Sequence, residues 1–549
     1  MEYKKRYEEW MSWADEETKQ ELLQVTDEKE LEDRFYQDLE FGTAGLRGIM
    51  GAGSNRMNRY TVAKATQGLA NYLKATAGHA LSRGVVIAYD TRNHSAEFAE
   101  EAARVLTGEG IPVRLFKEPE PIPVLSFSVK HFHALGGIVV TASHNPPEYN
   151  GYKVYGSNGG QLVPKDADVL TGYVEAVDIS MVQDRGNEAL LTRIDQEVVD
   201  LFIDTIFTQS FFRGNPPALS VVYTPIHGSG CKPVQKALKK AGFRDVQVVK
   251  EQELPDGNFP TVSSPNPENA DALAMGIAQA KRTGADIVIG TDPDSDRIGA
   301  AVRQGEDFLL ISGNQMGALL TYFILTMKKE ILTPAATMVK TVVTGELGAE
   351  IARSFGVQVV ETLTGFKYIG EKISQWEKDP HHDFILGYEE SYGYLAGTHA
   401  QDKDAVVSAM LICEMAAYFK KQGKTLWDVL EDLYQTYGYY YDKTTSYTLK
   451  GLEGLAKIRG IMEKLRKISV QEIIPDICET TDFETGVGDL PKENVLKYRL
   501  ASGGWMAVRP SGTEPKIKIY YSLKGQGEED AKKRFDTYKA AWEKALDLK

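Results

Sequence analysis

The pattern of hydrophobic and polar residues repeats three times along the chain. In each copy a β-branched run is followed by a helix-like segment, a second strand, another helix-like segment and a short third strand that enters a polar loop. The predicted strands are 85–89, 112–116 and 137–140 in the first copy, 219–223, 245–250 and 286–290 in the second, and 337–343, 357–361 and 384–387 in the third. Strands separated by helical segments are typical of parallel βαβ packing.

Glycines mark equivalent places in the three copies. Gly110, Gly242 and Gly356 each lie just before the second strand, where a glycine would end the preceding helix. We therefore expect three copies of one α/β unit.

The two ends of the chain differ from the repeats. Residues 3–40 are rich in Glu, Lys and Trp without a strand pattern, which predicts a helical N-terminal extension. Past about residue 440, Tyr-rich charged segments lead to a predicted strand at 517–521 and a C-terminal helix, which we interpret as a separate α+β domain. The predicted fold class is α/β, with three similar mixed-sheet α/β domains plus this C-terminal α+β domain.

Composition narrows the class of protein. The chain has 549 residues, 42% hydrophobic and 26% charged, which is typical of a folded soluble protein of several domains. A net charge of −14 argues against nucleic acid as the main partner. The longest apolar stretch, 405–419, contains Glu414 and is too short to span a bilayer, and the first 15 residues lack the apolar core of a signal peptide. We expect a cytoplasmic protein with no membrane partner.

The three cysteines are far apart in the sequence. Cys231, Cys413 and Cys478 suit a reducing compartment, because they form neither a disulfide framework nor a CxxC metal motif. We expect all three to be buried apolar residues.

Three aspartates at alternate positions follow the third strand of the second copy. Asp292, Asp294 and Asp296 offer hard oxygen ligands that would select Mg²⁺, Mn²⁺ or Ca²⁺. An EF-hand is excluded because its sixth position would be Arg297 rather than glycine. The alternative is a solvated acidic turn, which the directly preceding buried strand disfavours.

The matching loop of the first copy, residues 141–146, carries a serine. Ser143 lies beside His144, but the G-x-S-x-G elbow of the α/β hydrolases is absent. Such a serine can still act if it carries phosphate, because a phosphoserine brings negative charge and three acceptor oxygens to a neighbouring metal. A polar turn without a chemical role is the alternative.

Two further loops could hold a sugar phosphate. In the third copy Glu389 and Ser391 could accept sugar hydroxyls, with Thr364 and Gly365 on the opposite wall, unless the loop is only a solvated glutamate pair. Residues 509–516 read Arg-Pro-Ser-Gly-Thr-Glu-Pro-Lys and combine a guanidinium, hydroxyls and a glycine, as a phosphate cradle does. A plain surface loop has similar composition.

Taken in order, the loops TASHNP, DPDSDR, GYEES and RPSGTEPK resemble those of the α-D-phosphohexomutase family. The resemblance covers nearly the whole chain from about Phe41. The residues after the serine loop, 151–155, are similar to the longer branch that contains phosphoglucomutases and phosphopentomutases. The resemblance implies four domains around a central cleft, with bounds at 1–205 (extension and phosphoserine domain), 206–310 (metal), 311–437 (sugar) and 438–549 (phosphate).

The resemblance also implies roles for individual residues. Ser143 would be the phosphoserine and, with Asp292, Asp294 and Asp296, would hold Mg²⁺, while Arg47 and Lys153 would assist proton transfer and stabilise charge. The implied substrate contacts are Arg297, Thr364, Gly365, Glu389, Ser391, His399 and Lys403. For His399 and Lys403 the spacing from Ser391 is one residue longer than in the family. The implied phosphate contacts are Arg509, Ser511, Gly512 and Thr513.

The implied activity is that of an isomerase, an intramolecular phosphotransferase. We expect it to interconvert α-D-glucose 1-phosphate and glucose 6-phosphate through a phosphoserine, with Mg²⁺ as cofactor and glucose 1,6-bisphosphate as intermediate and activator. Mannose or pentose phosphates are the alternatives within the family, and a metal-dependent sugar phosphatase or a non-catalytic sugar-phosphate sensor are the alternatives outside it. The oligomeric state and the state of Ser143 in the isolated protein stay open.

Overall fold

The computed structural model describes residues 2–42, 45–182, 185–449, 451–511 and 516–548. The chain divides into two compact units. The first comprises Met1–Ile311, Phe366–Asp379 and Tyr392–Gly423, and the second comprises Ser312–Gly365, Pro380–Ser391 and Lys424–Lys549. Each unit is described separately below.

The N-terminal extension is helical, as predicted. Its helices are α1 (Glu2–Trp13), α2 (Glu16–Gln24) and α3 (Glu28–Phe35). Asp15 accepts a hydrogen bond from the backbone N–H of Thr18 and so caps α2. Apolar side chains of all three helices pack with Ala52 of the following segment, so the extension is docked on the first unit.

The first repeat forms a six-stranded mixed sheet in the order β1-β5-β4-β2-β3-β6. Its elements are β1 (Leu46–Ile49), α4 (Arg59–Ala77), β2 (Val85–Tyr89), α5 (Ser95–Gly108), β3 (Val113–Phe116), α6 (Ile122–His131), β4 (Gly136–Val140), β5 (Tyr149–Gly156), α7 (Pro164–Glu175), β6 (Leu191–Ile194) and α8 (Gln196–Ile206). Strands β2, β3, β4 and β6 are parallel, whereas β5 runs antiparallel to both β4 and β1.

The second repeat forms a five-stranded mixed sheet in the order β11-β10-β9-β7-β8. It consists of β7 (Ser220–Thr224), α9 (Cys231–Lys240), β8 (Asp245–Val248), α10 (Lys250–Glu253), α11 (Ala270–Thr283), β9 (Ile287–Thr291), β10 (Ile298–Gln304) and β11 (Asp307–Ile311). Again the first predicted strand lies between the second and the third.

The third repeat contributes to both units. In the second unit lie α12 (Gly313–Lys328), β12 (Ala336–Thr341), α13 (Leu347–Ser354), β13 (Gln358–Thr362) and, after α14 (Phe366–Trp376), β14 (Asp383–Glu389). Strands β13, β12 and β14 are parallel, in the same order as in the other two repeats. Helix α14, β15 (Gly393–Ala396) and α15 (Ala405–Lys420) belong to the first unit.

The C-terminal part is an antiparallel sheet with helices, as predicted. After α16 (Leu426–Tyr437) come β16 (Tyr439–Thr448), α17 (Gly451–Lys467), β17 (Ile477–Asp482), β18 (Leu496–Leu500), β19 (Gly504–Pro510), β20 (Lys516–Gly525) and α18 (Glu528–Leu546). The strand order is β16-β20-β19-β18-β17. The α/β fold class is confirmed, and the predicted domain bounds stay a prediction.

A buried ion cluster joins the two sheets of the second unit. The ammonium of Lys340 on β12 lies 2.9 Å from Glu361 and 3.1 Å from Glu346, and its side chain is fully buried. Lys497 on β18 donates to both carboxylate oxygens of Glu361 at 3.0 Å. Burial acts to raise the pKa of Glu361, but the two ammonium groups outweigh it and lower that pKa to about 2.

The expectation that all three cysteines are buried holds for one of them. Cys413 is buried, but the prediction is wrong for Cys231, which is half-buried, and for Cys478 on β17, which is exposed.

Among the described residues, no helix is both long and apolar enough to span a membrane.

The three predicted helix-ending glycines are confirmed. Gly110, Gly242 and Gly356 have φ values of 78°, 96° and 75°. In each case the next N–H reaches back to the last helical turn, from Ile111 to Leu106, from Phe243 to Leu238 and from Val357 to Ala352. This is the Schellman arrangement, which requires a left-handed residue.

Alanine at two of these positions should therefore destabilise the protein to different degrees. At Gly356 no atom lies within 4 Å of an added β-carbon, so the left-handed backbone alone should cost about 1–2 kcal/mol. At Gly242 the β-carbon would lie 2.2 Å from the carbonyl oxygen of Gly214, so we expect a larger fall in Tm for Gly242→Ala than for Gly356→Ala. Calorimetry of both variants checks this, and equal Tm values would contradict the steric argument.

Candidate active site

The site in the first unit begins at the end of β4, where Ser143 is held in an unusual backbone conformation. Its φ is +53°, a left-handed value that is rare for residues other than glycine. Its N–H donates to the hydroxyl of Thr141 at 2.8 Å. Ser295 has a similar φ of +51° in the corresponding loop after β9. Such strain concentrates at functional sites.

Three buried carboxylates lie in the loop after β9. Asp292, Asp294 and Asp296 are all buried, and one oxygen from each lies within 4.8 Å of the others. Oδ1 of Asp294 and Oδ1 of Asp296 are buried without a hydrogen-bond partner among the described residues. Oxygens left unsatisfied in this way fit a divalent cation that prefers oxygen ligands. These aspartates could therefore hold a metal ion.

The Ser143 hydroxyl contacts this aspartate group. Its Oγ donates to Oδ2 of Asp292 at 2.9 Å and lies 3.2 Å from Nδ1 of His144. Burial, with help from the nearby Arg297 and Arg47, lowers the pKa of His144 well below its usual value. The ring is therefore neutral near pH 7 and can accept a hydrogen bond at one nitrogen.

Two lysines offset part of the negative charge. Nζ of Lys153 lies 3.1 Å from Oδ2 of Asp294, and Nζ of Lys403 lies 3.0 Å from Oδ2 of Asp296. Burial acts to raise the pKa of Asp294, but the Lys153 ammonium outweighs it and lowers that pKa. Burial and repulsion by the other two carboxylates raise the pKa of Asp292. A cation bound among the three carboxylates would offset the repulsion that raises the pKa of Asp292.

Arg47 and Arg297 lie at the border of this group. Arg47 lies on β1, a strand that the sequence pattern did not predict. Its Nη1 donates to Asn145, two residues after Ser143, at 3.2 Å. Arg297 pairs with Glu268 at 2.5 Å, and its Nε lies 3.8 Å from Oδ1 of Asp296.

A buried arginine that we did not predict supports the serine loop. The Arg92 side chain is fully buried and donates to the carbonyl oxygens of Ser143 at 2.6 Å, Pro146 at 2.8 Å and Tyr149 at 3.1 Å. Asp90 accepts a hydrogen bond from Thr141 at 2.6 Å. Asp90 and Arg92 lie just after the first strand of their repeat. The rule that ligands gather at the carboxyl ends of strands indicates them when it covers first strands as well as third strands.

The two residues predicted with altered spacing have different surroundings. Lys403 contacts the aspartate group and is held by Asp402, which lies 3.1 Å from its Nζ and also accepts from the Tyr155 hydroxyl at 2.8 Å. His399 instead bonds Asp404 through Nε2 at 2.7 Å. The structure therefore brings Lys403, but not His399, to the aspartates, and a substrate contact by His399 stays a prediction.

The second unit brings together the predicted sugar residues of the third repeat. Glu389 at the end of β14 accepts a hydrogen bond from the N–H of Gly365 at 2.9 Å. Oγ1 of Thr364 is buried without a hydrogen-bond partner among the residues described. Ser391 follows Glu389 by two residues and is half-buried. A carboxylate, a hydroxyl and a backbone turn thus meet at one strand end.

The predicted phosphate loop is described in part. Arg509 at the end of β19 donates its Nε to Glu493 at 2.9 Å. The N–H of Ser511 donates to the carbonyl oxygen of Lys516 at 2.8 Å, which closes the loop at its base. Gly512 and Thr513 lie outside the described residues.

The chain matches all four domains of one protein family. Residues 38–179, 200–305 and 312–437 match the α/β/α domains I, II and III of the phosphoglucomutase/phosphomannomutase family, and residues 453–535 match its C-terminal domain. These ranges lie in the same order as the three repeats and the C-terminal sheet.

Similar proteins cover nearly the whole chain. A phosphoglucomutase of Staphylococcus saprophyticus is 35% identical over 548 residues, which cover 96% of this chain and 98% of that protein. A phosphoglucomutase of Staphylococcus aureus is 38% identical over 533 residues, which cover 94% and 95%.

Solved structures share the fold at low sequence identity. Parafusin, a phosphoglucomutase of Paramecium, has a TM-score of 0.73 at 15% identity and covers 93% of this chain and 96% of its own. A phosphoglucomutase/phosphomannomutase family protein of Burkholderia thailandensis has a TM-score of 0.68 at 19% identity, with 92% and 97% covered. The order of the matched domains and the similarity over nearly the full length confirm the family that the four loops predicted. The chain belongs to the phosphoglucomutase/phosphomannomutase family, the α-D-phosphohexomutases, and is an isomerase of the intramolecular phosphotransferase type.

Proposed function

We propose that this enzyme interconverts α-D-glucose 1-phosphate and glucose 6-phosphate through phosphorylated Ser143. The observation that carries the proposal is the placement of the Ser143 hydroxyl 2.9 Å from Asp292, within a buried group of three aspartates. A serine needs such surroundings to carry phosphate, because a cation bound there would face the phosphate oxygens. The glucose preference follows the names of the relatives at 35–38% identity.

In the proposed reaction, phosphorylated Ser143 gives its phosphoryl group to the free hydroxyl of the substrate. The bond between phosphorus and Oγ of Ser143 breaks and a bond between phosphorus and the sugar oxygen forms, while the sugar hydroxyl loses its proton and Oγ of Ser143 gains one. The resulting glucose 1,6-bisphosphate turns over, and its other phosphate returns to Oγ of Ser143. Free bisphosphate would act as an activator, because it restores the phosphoserine whenever the intermediate escapes.

Residues of the first unit would stabilise charge and move protons. Lys153 and Arg47 are cations beside the serine loop, and they would offset the charge on the transferring phosphoryl oxygens. Lys153 and Arg47 would also assist proton transfer, and the neutral His144 ring, with Nδ1 3.2 Å from Oγ of Ser143, would hydrogen-bond to that oxygen. Lys403 and Arg297 would contact the sugar or its phosphate.

We propose Mg²⁺ as the cation held by Asp292, Asp294, Asp296 and a phosphate oxygen on Ser143. When bound there, it would supply positive charge that offsets the charge of the phosphoryl group. Three carboxylates and one phosphate oxygen are hard oxygen donors, which Mg²⁺ prefers. A cation there would also relieve the repulsion among the three carboxylates, which raises the pKa of Asp292.

Residues of the second unit would recognise the sugar and the phosphate that does not react. Glu389, Ser391, Thr364 and Gly365 provide acceptors and a buried hydroxyl for sugar hydroxyls. Arg509, with Ser511, Gly512 and Thr513, would bind the distal phosphate, because a guanidinium fork and loop donors suit a dianion. A simple phosphatase would need no such second phosphate site. Cytoplasmic localisation stays a prediction.

A direct assay tests the proposed substrate. Purified protein with Mg²⁺ and a catalytic amount of the matching bisphosphate is assayed on glucose, mannose and ribose 1-phosphates. We expect the highest kcat/KM with glucose 1-phosphate. A higher value with mannose or ribose would assign the enzyme to the corresponding mutase. Absence of turnover with all three, or release of inorganic phosphate alone, would contradict the proposal.

Metal dependence gives a second prediction. Asp294→Asn removes one of the buried carboxylate charges. We expect turnover to fall by at least about 100-fold, because replacing a residue that only supports a metal ligand can already cost that much. Calorimetric titration should show loss of Mg²⁺ or Mn²⁺ binding by the variant. Excess EDTA should inactivate the wild type, and added Mg²⁺ should restore it.

The matched control is Asp286→Asn. Asp286 lies just before β9, the strand that leads into the three aspartates, and it pairs with Lys420. It should leave metal binding and turnover unchanged. Full activity of the wild type after confirmed metal removal would refute the metal site.

A further inference from the structure

Two helices of the N-terminal extension hold the backbone N–H and the backbone carbonyl group of Ala52, a residue of the following segment. Glu21 on α2 accepts a hydrogen bond from the N–H of Ala52 at 3.0 Å. Arg34 on α3 donates its Nη1 to the carbonyl oxygen of Ala52 at 3.0 Å. The same Nη1 lies 2.6 Å from Oε1 of Glu21, which closes the arrangement. We call Glu21, Arg34 and the backbone of Ala52 the Ala52 clasp.

The clasp is firmly built. The Arg34 side chain is only 12% exposed, and Glu30 fixes the other edge of its guanidinium through Nε and Nη2 at 3.1 and 2.8 Å. Gly53 has a φ of +132°, and a β-carbon there would lie 2.7 Å from the Arg34 carbonyl oxygen. The close approach of α3 therefore needs glycine next to Ala52.

Ala52 lies a short distance beyond the end of β1, the strand that carries Arg47. Strand β1 ends at Ile49, whose carbonyl oxygen accepts from Met57, while the N–H of Gly51 donates back to Met57. Ala52 is thus at the end of a short hydrogen-bonded connection to β1. The chain just after α3 adds a second contact, because the Leu39 side chain packs over Gly48, next to Arg47.

The position of β1 explains why it would need this support. It is a four-residue strand at the edge of its sheet. Among the described strands it pairs with β5 alone, in antiparallel orientation. Short edge strands have few hydrogen bonds to fix them. Yet Arg47 on this strand reaches Asn145 in the Ser143 loop, where catalysis requires placement to within about 0.5 Å.

We propose that the N-terminal extension is a positioning element for Arg47, acting through the Ala52 clasp. Glu21 and Arg34 fix the chain just beyond β1, and this holds the Arg47 guanidinium beside the serine loop. Neither clasp residue would touch the substrate. The inference rests on the proposed role of Arg47 in phosphoryl transfer.

Variants of the clasp test this inference. Arg34→Gln shortens the side chain and removes the guanidinium that contacts both Ala52 and Glu21, and Glu21→Gln is a milder change that keeps an acceptor for the Ala52 N–H. We expect Arg34→Gln to lower kcat by about 10-fold or more, since misplacement by 1 Å can cost about 100-fold, with KM changed by less than about twofold. Glu21→Gln should have a smaller effect in the same direction, and Arg34→Lys should recover part of the loss.

The matched control loosens the same extension at a different place. Tyr60→Phe on α4 removes the hydroxyl that bonds both the N–H and the carboxylate of Asp15 at 2.8 Å. It keeps the ring that packs against Trp10 and Trp13. We expect Tyr60→Phe to lower Tm and to leave kcat unchanged.

A double-mutant comparison separates positioning from stability. If the clasp acts through Arg47, Arg34→Gln should cost much less in kcat when Arg47 is already replaced by lysine than in the wild type. Equal losses of kcat in the two backgrounds would show that the extension only stabilises the fold. A fall in the kcat of Tyr60→Phe that accompanies its fall in Tm would show the same.

Hydrogen exchange provides a readout that does not depend on activity. Arg34→Gln should speed amide exchange in residues 46–53, while Tyr60→Phe should not. Unchanged exchange in that segment would overturn the clasp, whatever reaction the enzyme catalyses. Faster exchange in a protein with unchanged kcat would instead overturn the positioning of Arg47, and absence of mutase activity in the wild type would count against the proposed function alone.

Discussion

The burial of three carboxylates within 4.8 Å of one another is the constraint on which the rest of the first unit depends. Placing several negative charges out of water is costly unless cations face them. Lys153 and Lys403 come from two different repeats to provide those cations, so the charge balance ties three parts of the chain to one point. Repulsion among the carboxylates still raises the pKa of Asp292, and a bound cation would relieve it.

The same constraint explains the construction of the serine loop. Ser143 donates to Asp292 from a residue held in the left-handed backbone conformation. A loop of this kind would relax without support, and the buried Arg92 supplies it by gathering the carbonyl oxygens of the loop. The Ala52 clasp does the same for the strand of Arg47 from the outside of the sheet. Rigid elements on both sides thus hold the loop and its neighbour.

The sequence predicted the repeats and the strand-end loops well, because both depend on local patterns. The nine repeat strands lie within about two residues of their predicted ends at most places, and Gly110, Gly242 and Gly356 end their helices as expected. Placement of Arg47 on a strand was missed, because a four-residue edge strand leaves almost no periodic signal. The pairing of His399 with Asp404 and the exposure of Cys478 are tertiary facts that no local pattern encodes.

Transfer of phosphate from Ser143 to the sugar is the central claim, and a single-turnover experiment tests it most directly. Protein that carries one labelled phosphate, mapped to Ser143, is mixed with unlabelled glucose 1-phosphate in the presence of Mg²⁺ and without added bisphosphate. The account predicts that the label leaves Ser143 and appears in glucose 6-phosphate, while Ser143 is phosphorylated again by the unlabelled phosphate, and that Ser143→Ala neither takes up phosphate nor turns over. Retention of the label on Ser143 while glucose 6-phosphate forms, or wild-type activity of Ser143→Ala, would contradict it.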